Sequence, residues 1–138
     1  MKNAKVSFTV LIISITFLFS SCKEDQIGLT STEQLLIASP WKVEYFFQTH
    51  DLTSQFGNVR LLFSNTGTVA VQKENETVYG SWLKTLENNS EVIHLQFNSS
   101  DVIIEMLQQN WKLVEKTPNS LQFEETDPAL TSLRIRMQ

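Results

Sequence analysis

From Trp41 to Met137 the sequence alternates apolar and polar residues in short runs broken by turns. Trp41, Val43, Tyr45 and Phe47 fall on one face of the first run, and Lys42, Glu44 and Gln48 on the other. A period of two is the pattern of a half-buried strand, not of a helix. After a polar loop, Val59, Leu61 and Phe63 alternate with Arg60 and Ser64. Asn65-Thr66-Gly67 supplies a turn, with a glycine available for positive φ. Val69 and Val71 continue the pattern, Glu74-Asn75-Glu76 turns again, and Val78, Gly80 and Trp82 share the next face. Glu87 to Ser90 turns into a strand from Glu91 to Phe97. Later strands are expected at Trp111–Lys116, Leu121–Glu124 and Leu133–Met137, separated by Pro118-Asn119 and Asp127-Pro128. The count is about eight short antiparallel strands with tight turns. That predicts an all-β fold, a sandwich or an up-and-down barrel.

Two stretches break the period. Ser31 with Gln34, or Thr30 with Glu33, has capping-box spacing, so a short helix is expected to start near residue 32 and to end before Pro40. Ser99-Ser100-Asp101 can cap a second short helix over 101–109, with Ile103, Met106 and Leu107 on one side. Phe46 is apolar on the otherwise polar face of its strand, which leaves it to meet that helix or a partner.

The chain opens differently. Lys2 and Lys5 precede an apolar run from Val6 to Phe19, then Ser20, Ser21 and the sole cysteine, Cys22. This is the layout of an export signal. The run falls short of the roughly 20 apolar residues of a spanning helix, and Lys23, Glu24 and Asp25 follow at once. The small pair before Cys22 resembles the processing motif of bacterial lipoproteins, with Phe19 where leucine is usual. The resemblance implies a diacylglycerol thioether on Cys22 and cleavage before it. It also implies acylation of the new amine, giving the two or more chains that stable anchoring needs. The competing reading is an ordinary secretory signal with an incidental thiol. Lys23-Glu24-Asp25 resembles the export signal of surface-displayed Bacteroidota lipoproteins, and a generic polar tether is the plainer alternative. The expected organisation is therefore a signal at 1–21, a lipidated tether at 22–31 and a barrel domain at 32–138. The expected address is the outer membrane of a Gram-negative cell, on its surface or its periplasmic face.

Beyond residue 21 the chain holds 9 basic and 15 acidic residues, a formal charge of −6. An acidic chain without a basic patch argues against nucleic acid as a partner. With Cys22 committed, an intrachain disulfide and a cysteine metal site are excluded.

Trp41-Lys42-Val43, Asp51-Leu52-Thr53-Ser54-Gln55-Phe56, Leu62 to Val69, Gly80-Ser81-Trp82, Trp111-Lys112-Leu113 and Leu121-Gln122-Phe123 occur in an order that resembles the lipocalin-like domain of Bacteroidota lipoproteins, in the calycin superfamily. The match covers roughly 40–138. It departs from the family at Ser39-Pro40-Trp41, where a glycine usually stands two residues before the tryptophan. The resemblance implies a barrel with room for a small apolar ligand. It also implies an arginine packed over Trp41 to close the barrel, with Arg134 and Arg136 as candidates. The alternative is that both arginines are solvated.

No catalytic constellation emerges, and neither a cofactor nor a metal is expected. His50 beside Asp51 reads as a loop residue, and His94 between Ile93 and Leu95 as a half-buried strand histidine. Glu124, Glu125 and Asp127 lack the dense oxygen spacing of a calcium loop. An eight-stranded barrel either fills with side chains or holds one small ligand. If a pocket exists, Tyr45, Phe47, Trp82 and Ile93 are its expected wall. If the barrel is solid, the loop from Gln48 to Asn58 is a candidate surface for a protein partner or an inhibited target. The sequence describes a non-catalytic binding scaffold.

Overall fold

The computed structural model describes residues 31–126 and 131–138. Nine strands lie in chain order: β1 (Trp41–Gln48), β2 (His50–Asp51), β3 (Val59–Phe63), β4 (Thr68–Lys73), β5 (Glu76–Glu87), β6 (Ser90–Phe97), β7 (Asn110–Thr117), β8 (Ser120–Glu125) and β9 (Thr131–Met137). Each strand from β3 onward pairs antiparallel with the next, and β1 pairs with both β3 and β9. The sheet is therefore closed as an eight-stranded up-and-down barrel, and β2 is a two-residue return after β1. Closure removes the sheet edges on which an open meander would aggregate.

Helix α1 (Thr32–Ala38) precedes the barrel, and α2 (Val102–Leu107) links β6 to β7. The capping box at α1 forms as expected: Ser31 Oγ accepts the Gln34 N–H, and the Gln34 side chain accepts the Ser31 N–H. Asp101 caps α2 by accepting the N–H groups of Ile103 (2.9 Å) and Ile104 (3.3 Å). Gly67 takes φ +82° in the turn between β3 and β4, as that turn requires.

The two helices plug opposite ends. At one end the Trp41 indole N–H donates to the Leu36 carbonyl of α1 at 3.0 Å. At the other the Trp111 indole N–H donates to the Leu107 carbonyl of α2 at 2.9 Å. A short helix leaves terminal carbonyls without helical partners, and a buried strand tryptophan needs an acceptor. Each pairing meets both needs.

Strand β1 corrects the sequence reading. Its register shifts between Val43 and Tyr45, which marks a bulge at Glu44. An extra residue on one strand reverses the phase of every side chain after it. Phe46 therefore points inward and is 0% exposed, stacked on Phe56 at 4.5 Å and edge-on to Trp111 at 6.1 Å. Tyr45 and Phe47, expected inside, stand on the outer wall, their rings parallel at 6.4 Å. Thr53 holds the strand beyond the bulge, its Oγ1 accepting the Phe46 N–H at 2.9 Å.

Candidate functional site

The barrel interior is packed with side chains. Leu36 enters from α1 with 0% exposure, and Trp111, Phe123, Leu61 and Ile135 converge on it. Between them remains a void of about 10 Å³, against the ~300–1,000 Å³ of small-molecule sites. Of the expected wall residues, Ile93 is buried in this core. Trp82 faces inward but is consumed by packing: its ring meets Phe63 edge-on at 5.4 Å, and its N–H donates to the Ser64 carbonyl at 2.9 Å. Tyr45, at 37% exposure, is on the far side of the wall.

The expected arginine closure is also corrected. On β9, Leu133 and Ile135 face the core while Arg134 and Arg136 face out. Arg134 donates to Gln122 Oε1 at 2.7 Å, and Arg136 pairs with Glu44 at 2.9 Å. The α1 carbonyl meets the Trp41 indole instead.

That α1 plug is held by a polar clasp. Buried Thr32 donates its hydroxyl to Glu91, and Lys116 reaches Thr32 Oγ1 at 3.4 Å. Lys84 bridges Glu91 at 3.2 Å and Glu33 of α1 at 3.5 Å. Burial opposes the charge on Glu91. The hydrogen bonds from Thr32 and Lys84 and the charges of Lys84 and Lys116 outweigh it, so the Glu91 pKa lies below the ordinary value of 4.5. Burial likewise opposes the charge on Lys84, and Glu91 with Glu33 outweighs it, raising its pKa above 10.5. At the other end the hydrogen bond from Lys73 is the main cause of a lowered Asp101 pKa. Burial opposes this, and the N–H groups of Ile104 and Ile103 add to the lowering.

The histidines lie on different elements. His50 sits in the β1–β2 return with its Nδ1 3.2 Å from Thr49 Oγ1. Its neighbour Asp51 accepts the Thr53 N–H at 2.8 Å, and this contact with Thr53 lowers the Asp51 pKa. His94 stands on the outer wall of β6. Its Nδ1 is 2.7 Å from Asn110 Oδ1, and its Nε2 is 2.7 Å from Thr85 Oγ1 and 3.0 Å from Glu87 Oε1. Glu125 accepts the Thr131 hydroxyl at 2.7 Å. Among the described residues no three His, Cys, Asp or Glu side chains gather as a metal site. Cys22, Lys23, Glu24, Asp25 and Asp127 lie outside the described residues. Among those described, no helix is long and apolar enough to cross a membrane.

The feature that sequence reasoning missed is a groove on the outer wall. β6 and β7 pair only at Val92↔Lys112, Ile93↔Trp111 and His94↔Asn110, then diverge as the chain rises into α2. The edge of β6 is sealed locally: the Leu95 N–H donates to the Gln109 carbonyl at 3.1 Å, and the Phe97 N–H to Gln108 Oε1 at 2.9 Å. The opening has a volume of about 490 Å³. Ser81 and Leu83 of β5 and His94 and Gln96 of β6 border one side. The run Gln108-Gln109-Asn110 borders the other. That carboxamide run is visible in the sequence, but its convergence with Ser81 and Gln96 is a product of the tertiary fold.

No family model matches the sequence, and no curated protein matches it. Among solved structures, a DUF4847 family protein from Bacteroides vulgatus aligns with a TM-score of 0.60 at 13% identity, over 78% of this chain and 98% of that one. At that identity the likeness is one of fold.

Proposed function

We propose that the chain is a lipid-anchored, non-catalytic binding module that works through the outer wall of a solid barrel. The observation that carries this reading is the interior void of about 10 Å³, which has no room for the small apolar ligand that the lipocalin-like resemblance implies. What the fold leaves open to a partner is its surface. The anchor is the lipidated Cys22, with residues 22–31 as tether and Lys23-Glu24-Asp25 as the signal for display on the outer membrane. Nine residues separate Cys22 from Thr32, a reach of at most about 36 Å. The α1 end is therefore the tethered end, and the groove opens toward the α2 end.

Two measurements test this. Cys22→Ser protein is expected to remain folded and to leave the membrane fraction. Retention in that fraction would contradict the anchor. Native mass spectrometry of gently extracted protein is expected to show the bare lipoprotein mass. A stoichiometric lipid-like adduct within the barrel would overturn the outer-wall reading in favour of an internal ligand.

A further inference from the structure

Resting on the outer-wall reading, we infer that the groove between β6 and β7 binds an uncharged saccharide. Its recognition groups are Ser81, Gln96, Gln108, Gln109 and Asn110, none of which carries a charge. The one titratable side chain at its border, His94, is held between Asn110 and Glu87. Apart from His94, such a lining has no cationic side chain to select an anion and no carboxylate to select a cation. A carboxamide offers a donor and an acceptor in one plane, and each sugar hydroxyl can act as both.

Two of these groups are already oriented. Gln108 Oε1 accepts the Phe97 N–H, which fixes the amide and leaves its NH₂ group for a ligand. Asn110 is fixed against the His94 ring. Preorganised polar groups lose less freedom on binding than mobile ones. Beside them lies apolar surface. Leu83 is 60% exposed, and Tyr79, on the same face of β5, is 69% exposed. A pyranose presents C–H faces that suit such surface together with a rim of hydroxyls. A volume of about 490 Å³ lies within the range of small-molecule sites.

A peptide added as a strand fits less well. The Leu95 and Phe97 N–H groups on this edge of β6 are already bonded within the protein, and strand addition depends on such groups being available.

The test is calorimetric titration of the lipidated protein in a sugar-free detergent. The probes are neutral gluco-, galacto-, manno- and xylo-oligosaccharides of two and three units, with uronic-acid oligomers as charged counterparts. At least one neutral series is expected to bind with a Kd of about 1 mM or tighter. The double variant Gln96→Ala/Gln109→Ala removes one exposed and one half-buried amide, neither of which makes a side-chain hydrogen bond among the described residues. It is expected to weaken binding about tenfold or more, from two lost hydrogen bonds, at unchanged melting temperature. No saturation by any neutral sugar at about ten times that concentration would overturn the inference. So would tighter binding of the uronic acids, or full affinity in the double variant. Those failures, with a bare mass in native spectrometry, leave the outer-wall reading standing. A lipid adduct in the barrel removes that reading, and this inference with it.

Discussion

The two ends of the barrel solve one problem with different chemistry. Both are plugged by a short helix whose leucine carbonyl accepts a tryptophan N–H. Around Trp111 the support is aromatic, with Phe46 edge-on to it and Phe56 stacked on Phe46. Around α1, Leu36 fills the core and the rest of the support is polar and ionic, from Thr32, Glu33, Lys84, Glu91 and Lys116. Apolar support is insensitive to pH and salt, whereas partly exposed charge pairs respond to both. The α2 end, where the Lys73–Asp101 pair sits at the helix cap, rests mainly on aromatic packing, and the α1 end, next to the expected tether, is the one that solution conditions loosen more.

The largest effect is expected at the aromatic end. Trp111→Ala should cost about 3–5 kcal/mol, read as a shift in the denaturation midpoint, and should also loosen Phe46 and α2. A loss below about 1 kcal/mol would mean that this end does not rest on that packing. Gly80→Ala comes next. A Cβ there would lie 2.3 Å from both the Gln96 carbonyl oxygen and the Phe97 ring, so the β5–β6 pair must shift, at about 1–3 kcal/mol. A neutral outcome in thermal unfolding would contradict the close approach of these strands.

At the ionic end, Glu91→Gln should cost about 1 kcal/mol, within the usual range for hydrogen bonds. It should raise hydrogen exchange in α1 while leaving α2 protected. The pH dependence has a fixed sign. The folded-state pKa of Glu91 is depressed, so its contribution is present above the unfolded value of about 4.5 and is lost as pH falls through the folded value. The Lys84 pKa is raised, so its contribution is present below about 10.5 and fades as pH rises beyond its folded value. Amide protection in α1 should therefore fall as pH drops below about 4.5, and by more than in α2, where Asp101 also has a lowered pKa. Equal loss at both ends would erase the contrast. The smallest effect is expected from Asp101→Asn. Asparagine caps a helix as well as aspartate does, so only the pairing with Lys73 is lost, at about 0.5 kcal/mol.

The architecture was legible in the sequence because strand period, turn chemistry and helix caps agreed. Ser31 with Gln34 and Asp101 start the helices where their spacing says they should. Tyr45 and Phe47 were misplaced because one extra residue, Glu44, reverses the phase of β1, whereas Trp82 and Ile93 do face inward. The doublet Phe46-Phe47 gave no sign of this reversal, since either phase of the strand sends one phenylalanine inward and the other outward. A second bulge between Leu113 and Glu115 has the same effect on β7, turning Lys116 to the face it shares with Leu121. The groove was not legible, because it depends on how far β6 and β7 stay paired. α2 sets that distance, and local sequence does not.

The central claim is that the barrel is solid. Its most direct test is titration of the purified protein with a fluorescent apolar probe of fatty-acid shape, read by energy transfer from Trp41 and Trp111. The wild-type protein should show no saturable signal, while Leu36→Ala, which vacates the core beneath α1, should admit a small apolar probe. Stoichiometric, saturable binding to the wild-type protein would contradict the account.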